Sequence, residues 1–214
     1  MRNRLLLLGV TSMALASCGP KPLALAADPV ERAATCAVVA AADARASAPN
    51  HKGDLGFDAQ TRILHHAMLA AAEGNRFSAS RAAAVVQRMN EIEPRVTDGK
   101  WQDLKAPCNE VYPAVARTSG VQLPKSKFDA ELGCYALSEF LVRSVSSRDP
   151  VVEKEMLGIS KVRRDLDGPI AIGLRARGAA SFEKGKAMKQ AALVEMTNLG
   201  APAEIVRQCK ARFT

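Results

Sequence analysis

The sequence predicts an all-α fold of two tandem helical units, each clamped by a disulfide and holding about four helices, with one fused bundle as the alternative. Three observations lead there. Apolar residues make up 48% of the chain and aromatics only 4%, alanine supplying much of the apolar share; small side chains favour close-packed helices, whereas a β-sandwich draws on Val, Ile, Thr and Tyr. Apolar residues recur at spacings of three and four along most of the chain. Finally, Cys36 and Cys108 lie 72 residues apart and Cys134 and Cys209 lie 75 apart, near-equal intervals that suggest a duplicated unit.

The elements follow in order. Asp28-Pro29-Val30-Glu31 opens a first helix: the aspartate caps, proline is tolerated in the first turn, and a carboxylate stands three residues after the cap. Val30, Ala34, Ala37, Val38, Ala41 and Ala44 give it one buried face, with Cys36 at the edge of the stripe. Residues 47–56 contain Pro49, Asn50, Gly53 and Gly56 and read as a loop. A second helix runs from about Phe57 to Glu73, ended by Gly74. The third, from about Ser78 to Glu93, carries the cleanest helical period, Ala82, Val85, Val86, Met89 and Ile92, and Pro94 is expected to stop it. A short helix from Pro107-Cys108 to about Arg117 completes the first unit, residues 28–117.

Residues 118–126, with Gly120 and Pro124, read as a linker, and the second unit spans 127–214. Ser126 and Asp129 repeat the cap-and-carboxylate opening for a helix carrying Cys134, Leu137 and Leu141. Asp149-Pro150 caps the next helix, Asp167-Gly168-Pro169 is expected to break it, and a glycine-punctuated segment through Gly173 and Gly178 follows. A long helix from Ser181 to Leu199, closed by Gly200, and a last one opened by Ala201-Pro202 and holding Cys209 end the chain. Both units thus begin with a cysteine-bearing helix and finish on a short one carrying the second cysteine near a proline. Element order and spacing carry the duplication, since residue identity between the halves is poor. Four cysteines allow three connectivities; if the halves are real, the pairs are Cys36–Cys108 and Cys134–Cys209.

The compartment is written at the N-terminus. Arg2 and Arg4 precede an apolar run from Leu5 to Ala16, too short to span a bilayer and of the length of a secretory signal. The run ends in Leu15-Ala16-Ser17-Cys18, which resembles the lipobox of bacterial lipoproteins. That resemblance covers only the first eighteen residues. It implies that residues 1–17 are a signal peptide, that Cys18 is lipidated and begins the mature chain, and that residues 18–27 form a tether. Two or more acyl chains make a stable anchor where one is marginal. Gly19 is not the aspartate that the family associates with inner-membrane retention, so the resemblance implies an outer-membrane protein facing the periplasm. The competing cleavage near Ala24-Leu25-Ala26 would be approached through Pro20, Lys21 and Pro22. No later stretch has eighteen consecutive apolar residues. With Cys18 lipidated, four cysteines remain, and in an exported chain an even set reads as disulfides.

The formal charge is +8 and unevenly spread, residues 21–120 carrying about +1 and residues 121–214 about +5. A basic half beside a membrane leans towards anionic headgroups or acidic envelope polymers, the plain alternative being a solvated, mildly basic surface. The compartment disfavours nucleic acid.

Candidate sites are few. His51 falls in a loop and His65-His66 on the second helix, where neighbours point about 100° apart and do not grip one metal as an i, i+4 pair does. They are weak metal candidates, and no cofactor is expected. No Gly-x-Ser-x-Gly, His-Glu-x-x-His, Walker or Rossmann pattern is present. Asp165 and Asp167 beside Arg163 and Arg164 read as a solvated helix end rather than an acid–base pair. Trp101, Gly173 and Gly178 are the ligand-groove candidates: Trp101 is a large aromatic with a polar tip, and glycines Gly173, Gly178 and Gly185 inside helical sequence cost about 1 kcal/mol each against alanine, which implies breaks, close helix packing or a ligand-facing surface. Close packing is the favoured reading and a groove the second. The expected function is that of a membrane-anchored envelope protein that binds or interacts, partnered by an envelope protein or an anionic polymer. The alternatives are a carrier of a small apolar ligand, or a hydrolase or metal enzyme that would need His51, His65 or His66.

Overall fold

In each half of the protein one helix is buried on all sides along its middle, and the others wrap it. The computed structural model describes residues 23–74 and 76–214; the expected signal peptide and Cys18 lie outside them. Among the described residues there are nine α-helices, one 3-10 turn and no strand: α1 Pro29–Ser47, α2 Phe57–Ala71, α3 Ala79–Thr97, the 3-10 turn Trp101–Leu104, α4 Lys105–Val111, α5 Pro113–Ala116, α6 Lys127–Ser144, α7 Pro150–Ala176, α8 Phe182–Leu199 and α9 Pro202–Phe213. The fold is all-α, as composition and period predict. The disulfides are Cys36–Cys108 and Cys134–Cys209, with Cα atoms 5.4 and 5.7 Å apart. The first joins α1 to α4 and the second joins α6 to α9.

The helix starts are written in their caps. The carboxylate of Asp28 accepts from the Glu31 backbone N–H at 2.8 Å, and Asp149 accepts from that of Val151 at 2.8 Å. Ser78 and Ser126 cap α3 and α6 in the same way, each satisfying a donor that the first helical turn leaves without a partner.

α1 departs from its expected single buried face. Every residue from Ala33 to Val39 is buried, which a helix tolerates only when it is covered all round; α2, α3, the 3-10 turn and α4 supply the cover. α6 holds the same place in the second half, buried from Ala130 to Ser138 against α7, α8 and α9. Buried residues of both halves form one continuous apolar cluster.

Both expected proline stops are overridden. Pro94 lies inside α3 and Pro169 inside α7. Each proline is exposed, and so is the residue four before it, Asn90 or Asp165, so water can serve the carbonyl left without its donor. Beyond each proline the helix still has side chains to bury: Val96 after Pro94, Ile170 and Leu174 after Pro169. Gly168 also lacks the Cβ that clashes with a following proline ring in helical conformation. With α7 unbroken, each half has a central helix, two long helices and a shorter helix carrying the second cysteine, and the first half adds the 3-10 turn and α5.

The described part of the expected tether is not a free spacer. Leu23 and Leu25 pack on the apolar cluster, and the Arg32 guanidinium donates to the Ala27 carbonyl at 3.1 Å.

Gly173 shows where backbone proximity matters. A Cβ built there would lie 2.2 Å from the Phe128 ring, which is itself covered by the Arg177 guanidinium 3.7 Å away and cannot easily withdraw. The clash outweighs the gain of about 1 kcal/mol that alanine brings to a helix interior, since overpacking costs about 1–3 kcal/mol. Gly173→Ala is expected to lower the urea midpoint at unchanged slope. Removing either disulfide by paired Cys→Ser replacement is expected to cost about 2–5 kcal/mol, read by the same denaturation.

Candidate functional site

Two long helices of the second half do not close on each other. α8 packs along α6, as α7 does, but α7 and α8 leave a gap that α3 borders from the first half. The result is a groove of about 1120 Å³, larger than the roughly 300–1,000 Å³ of sites that take drug-sized molecules. Its inner wall is apolar: Leu64, Phe77, Ala82, Ala136, Leu174 and Leu193 line it, and all but Leu64 are buried. Phe77 meets Phe140 edge to face, with centroids 5.2 Å apart, which fixes two aromatic rings in the wall. At the mouth stand Val86 and Phe182, 43% and 77% exposed.

Charge is unevenly placed around it. Arg143 and Glu139, both lining residues, pair with each other at 2.8 Å. Arg175, Lys186 and Lys189 also line the groove, and among the described residues none of the three is salt-bridged. The Lys189 ammonium lies 4.5 Å from the centroid of the Tyr135 ring, a cation–π contact that leaves its charge uncompensated. The Tyr135 hydroxyl donates to Asp167 at 3.1 Å, and burial, with Glu139 and Asp167 nearby, pushes its pKa up to about 12.

The candidates singled out from the sequence are not brought together, and none of the three groove candidates lines this groove. Trp101 is half-buried in the 3-10 turn against the apolar cluster. Gly173 is taken up by its approach to Phe128. Gly178, at φ +70°, makes the turn after α7, a conformation that glycine adopts without a Cβ penalty. Their neighbour Gly185 does line the groove. The signal that could have revealed it is a second apolar stripe on α3, Ala79, Ala83 and Val86, beside the stripe that faces the core.

The histidines are dispersed as well. His51 Nδ1 meets the Arg45 carbonyl at 2.6 Å on the surface. His65 and His66 are buried on α2: His65 Nε2 donates to the Thr197 carbonyl at 2.7 Å, and the His66 ring stands edge-on to Tyr112, centroids 5.3 Å apart. Neither lines the groove. Among the described residues no group of three or more His, Cys, Asp or Glu side chains is placed to hold a metal ion. Comparison with protein-family models, with curated proteins and with solved structures finds no match to this chain.

Burial makes the histidine pair an acid-sensitive seam. Desolvation, then the charge of Arg117, pushes His65 down to about 4 against the favourable Thr197 contact; desolvation, then His65 and Arg62, pushes His66 down to about 3. An unfolded histidine titrates near 6.5, so below that pH the unfolded chain binds protons that the native one excludes, and stability falls as pH falls. The stabilisation from the neutral pair is complete above about pH 6.5 and is lost progressively as pH falls through about 4 for His65 and about 3 for His66. Thermal unfolding followed from pH 7.5 to 4.5 should show a falling Tm, and His66→Phe, which keeps an aromatic against Tyr112 but cannot titrate, should flatten that slope.

Proposed function

We propose that this chain is an exported lipoprotein, anchored through Cys18 at the periplasmic face of the outer membrane, whose helical body works by binding a ligand with apolar surface in the groove between α7 and α8 that α3 borders. The groove carries the reading. Burying apolar surface is favourable by about 25 cal/mol per Å², and here the wall is preformed on helices whose central members are held by disulfides, so little ordering opposes binding.

Several observations support the export part. The lipobox-like Leu15-Ala16-Ser17-Cys18 follows a signal-like run. Both disulfides are structural, joining distant helices, as expected of a chain matured in an oxidising compartment. No described helix is long and apolar enough to cross a membrane, so attachment to one would fall to the lipid. Binding is favoured over catalysis because the titratable groups with the largest downward shifts, His65 and His66, face the core rather than the groove.

Native mass spectrometry tests the binding reading. The mature body is exported with Cys18→Ser behind a cleavable signal and weighed before and after reduction, then delipidated and offered a neutral apolar fluorophore. A ligand retained through purification, or fluorophore uptake that Ala83→Trp at the groove abolishes, is the expected result; the bare mass of a two-disulfide chain with no uptake would overturn it. The anchor has its own check: the wild-type chain should incorporate labelled palmitate and partition with membranes, and Cys18→Ser should do neither.

A further inference from the structure

Resting on that reading of the groove, we propose that its ligand is a single-chain anionic amphiphile, with an apolar tail along the wall and a carboxylate or phosphate head held by Arg175, Lys186 and Lys189. Three features of the site select this chemistry over a neutral apolar molecule, a cation or a peptide strand.

The first is charge balance. Of the charged side chains that line the groove, Glu139 is the only carboxylate, and its partner Arg143 neutralises it. The other three are cations without a carboxylate partner. A cationic ligand would meet uncompensated repulsion, while an anion gains charge-assisted hydrogen bonds, which are roughly twice as strong as neutral ones. Arg175 offers a planar fork suited to a carboxylate or phosphate, and Lys186 and Lys189 add point charges one turn apart on α8.

The second is the separation of polar and apolar lining. α2, the loop after it and α3 contribute no charged side chain to the lining, whereas the unpaired cations all come from the end of α7 and from α8, beside Leu174 and Leu193 of the apolar wall. An amphiphile matches such a division between tail wall and head wall; a wholly apolar molecule would leave the cations unused. The third is length. On α3 the lining runs from Ala79 to Asn90, and on α8 from Phe182 to Leu193, which at about 1.5 Å rise per residue gives a trough about 16 Å long. That shape suits an extended chain. The helical walls keep their backbone groups paired internally, and no strand is present among the described residues, so the groove offers no sheet edge for a peptide strand to join.

The test uses the Cys18→Ser body stripped of endogenous ligand, with displacement of a fluorescent fatty acid as the readout. Palmitate, a single-chain lysophosphatidate and hexadecanol are compared below their critical micelle concentrations. At least one of the two anions is expected to bind tenfold or more tighter than the alcohol, and whichever is stronger assigns the head as carboxylate or phosphate. The triple variant R175Q/K186Q/K189Q, all three exposed or half-buried on the surface, is expected to remove that advantage, leaving hexadecanol unchanged. Raising salt from 50 to 500 mM should weaken the anions alone.

Equal binding of anion and alcohol overturns the proposed head site while leaving an apolar groove in place. Failure of all three compounds, and of the neutral fluorophore, sinks the reading of the groove together with the proposal. Two further outcomes also overturn it: a dimer that Ala83→Trp dissolves, with palmitate ignored, would give the groove to a second copy of the chain, and selective capture of an acidic amphipathic helical peptide would give it to a protein partner.

Discussion

The rest of the structure depends on two helices, α1 and α6, whose middle stretches are buried on every side, with small residues at the closest approaches. α1 and α6 leave the surface for two or more turns because alanine, glycine and cysteine let neighbouring backbones come close; Gly133 on α6 faces the Met196 side chain at a distance that admits no Cβ without a shift. Such packing is dense but buries little area per residue, and a chain with 4% aromatics lacks the large side chains that dominate most cores. Each central helix is therefore tied covalently to a short helix late in its own half, α1 to α4 and α6 to α9. Loops of this length, held shut, contribute roughly 4 kcal/mol in the chain-entropy account, a large fraction of the 5–15 kcal/mol by which a domain is stable.

Beyond the packing of α2 on α7, α8 and α9, the halves are tied by hydrogen bonds at the C-terminal end of α8. The last carbonyls of a helix have no partner within it, and here two are served from the first half: Thr197 by His65 of α2, and Asn198 by Arg117 at 2.6 Å. The Ala201 N–H donates back to the Arg117 carbonyl at 2.9 Å, and Gln208 of α9 donates to the Val121 carbonyl at 2.8 Å. The His65–Thr197 bond of this seam is buried, the Arg117–Asn198 bond lies at the surface, and beneath them one apolar cluster runs through both halves. It also accounts for the groove. With its C-terminal end fixed against the first half and its flank on α6, α8 does not lie along α7, and the gap left between them faces α3.

The sequence carried the fold more plainly than the site. Caps at Asp28, Ser78, Ser126 and Asp149, the equal cysteine spacing and the alanine-rich periods act within one helix or one loop length, so they can be read locally. Pro94 and Pro169 could not, because the burial of Val96, Ile170 and Leu174 that draws each helix onward depends on helices far away in sequence. The groove was illegible for the same reason: its wall is assembled from α2, α3, α6, α7 and α8. Val86 illustrates the difficulty. It fits the period of the core-facing stripe of α3, yet it is 43% exposed at the mouth, and only the position of α8 decides which face of α3 is core and which is groove. Gly173 and Gly178 were informative as glycines, one for close packing and one for a turn, but not as ligand contacts.

If Cys18 carries the proposed lipid, compartment and groove would bear on each other. Leu23 already packs on the body, so a lipid on Cys18 would be separated from it by five residues, which even fully extended reach only about 18 Å. A body held that close meets the headgroup layer at every encounter, and the excess positive charge of the second half, which carries Arg175, Lys186 and Lys189, is of the sign that an anionic surface attracts. In the proposed anchored form the same three cations would divide between the membrane surface and the head of a groove-bound amphiphile. Salt weakens both attractions, but only the second depends on the apolar wall behind it. A groove whose cations lay far from any membrane would capture anions from solution one at a time; one held at the surface by a short tether is presented with amphiphiles at high local concentration, so modest intrinsic affinity suffices to keep it occupied.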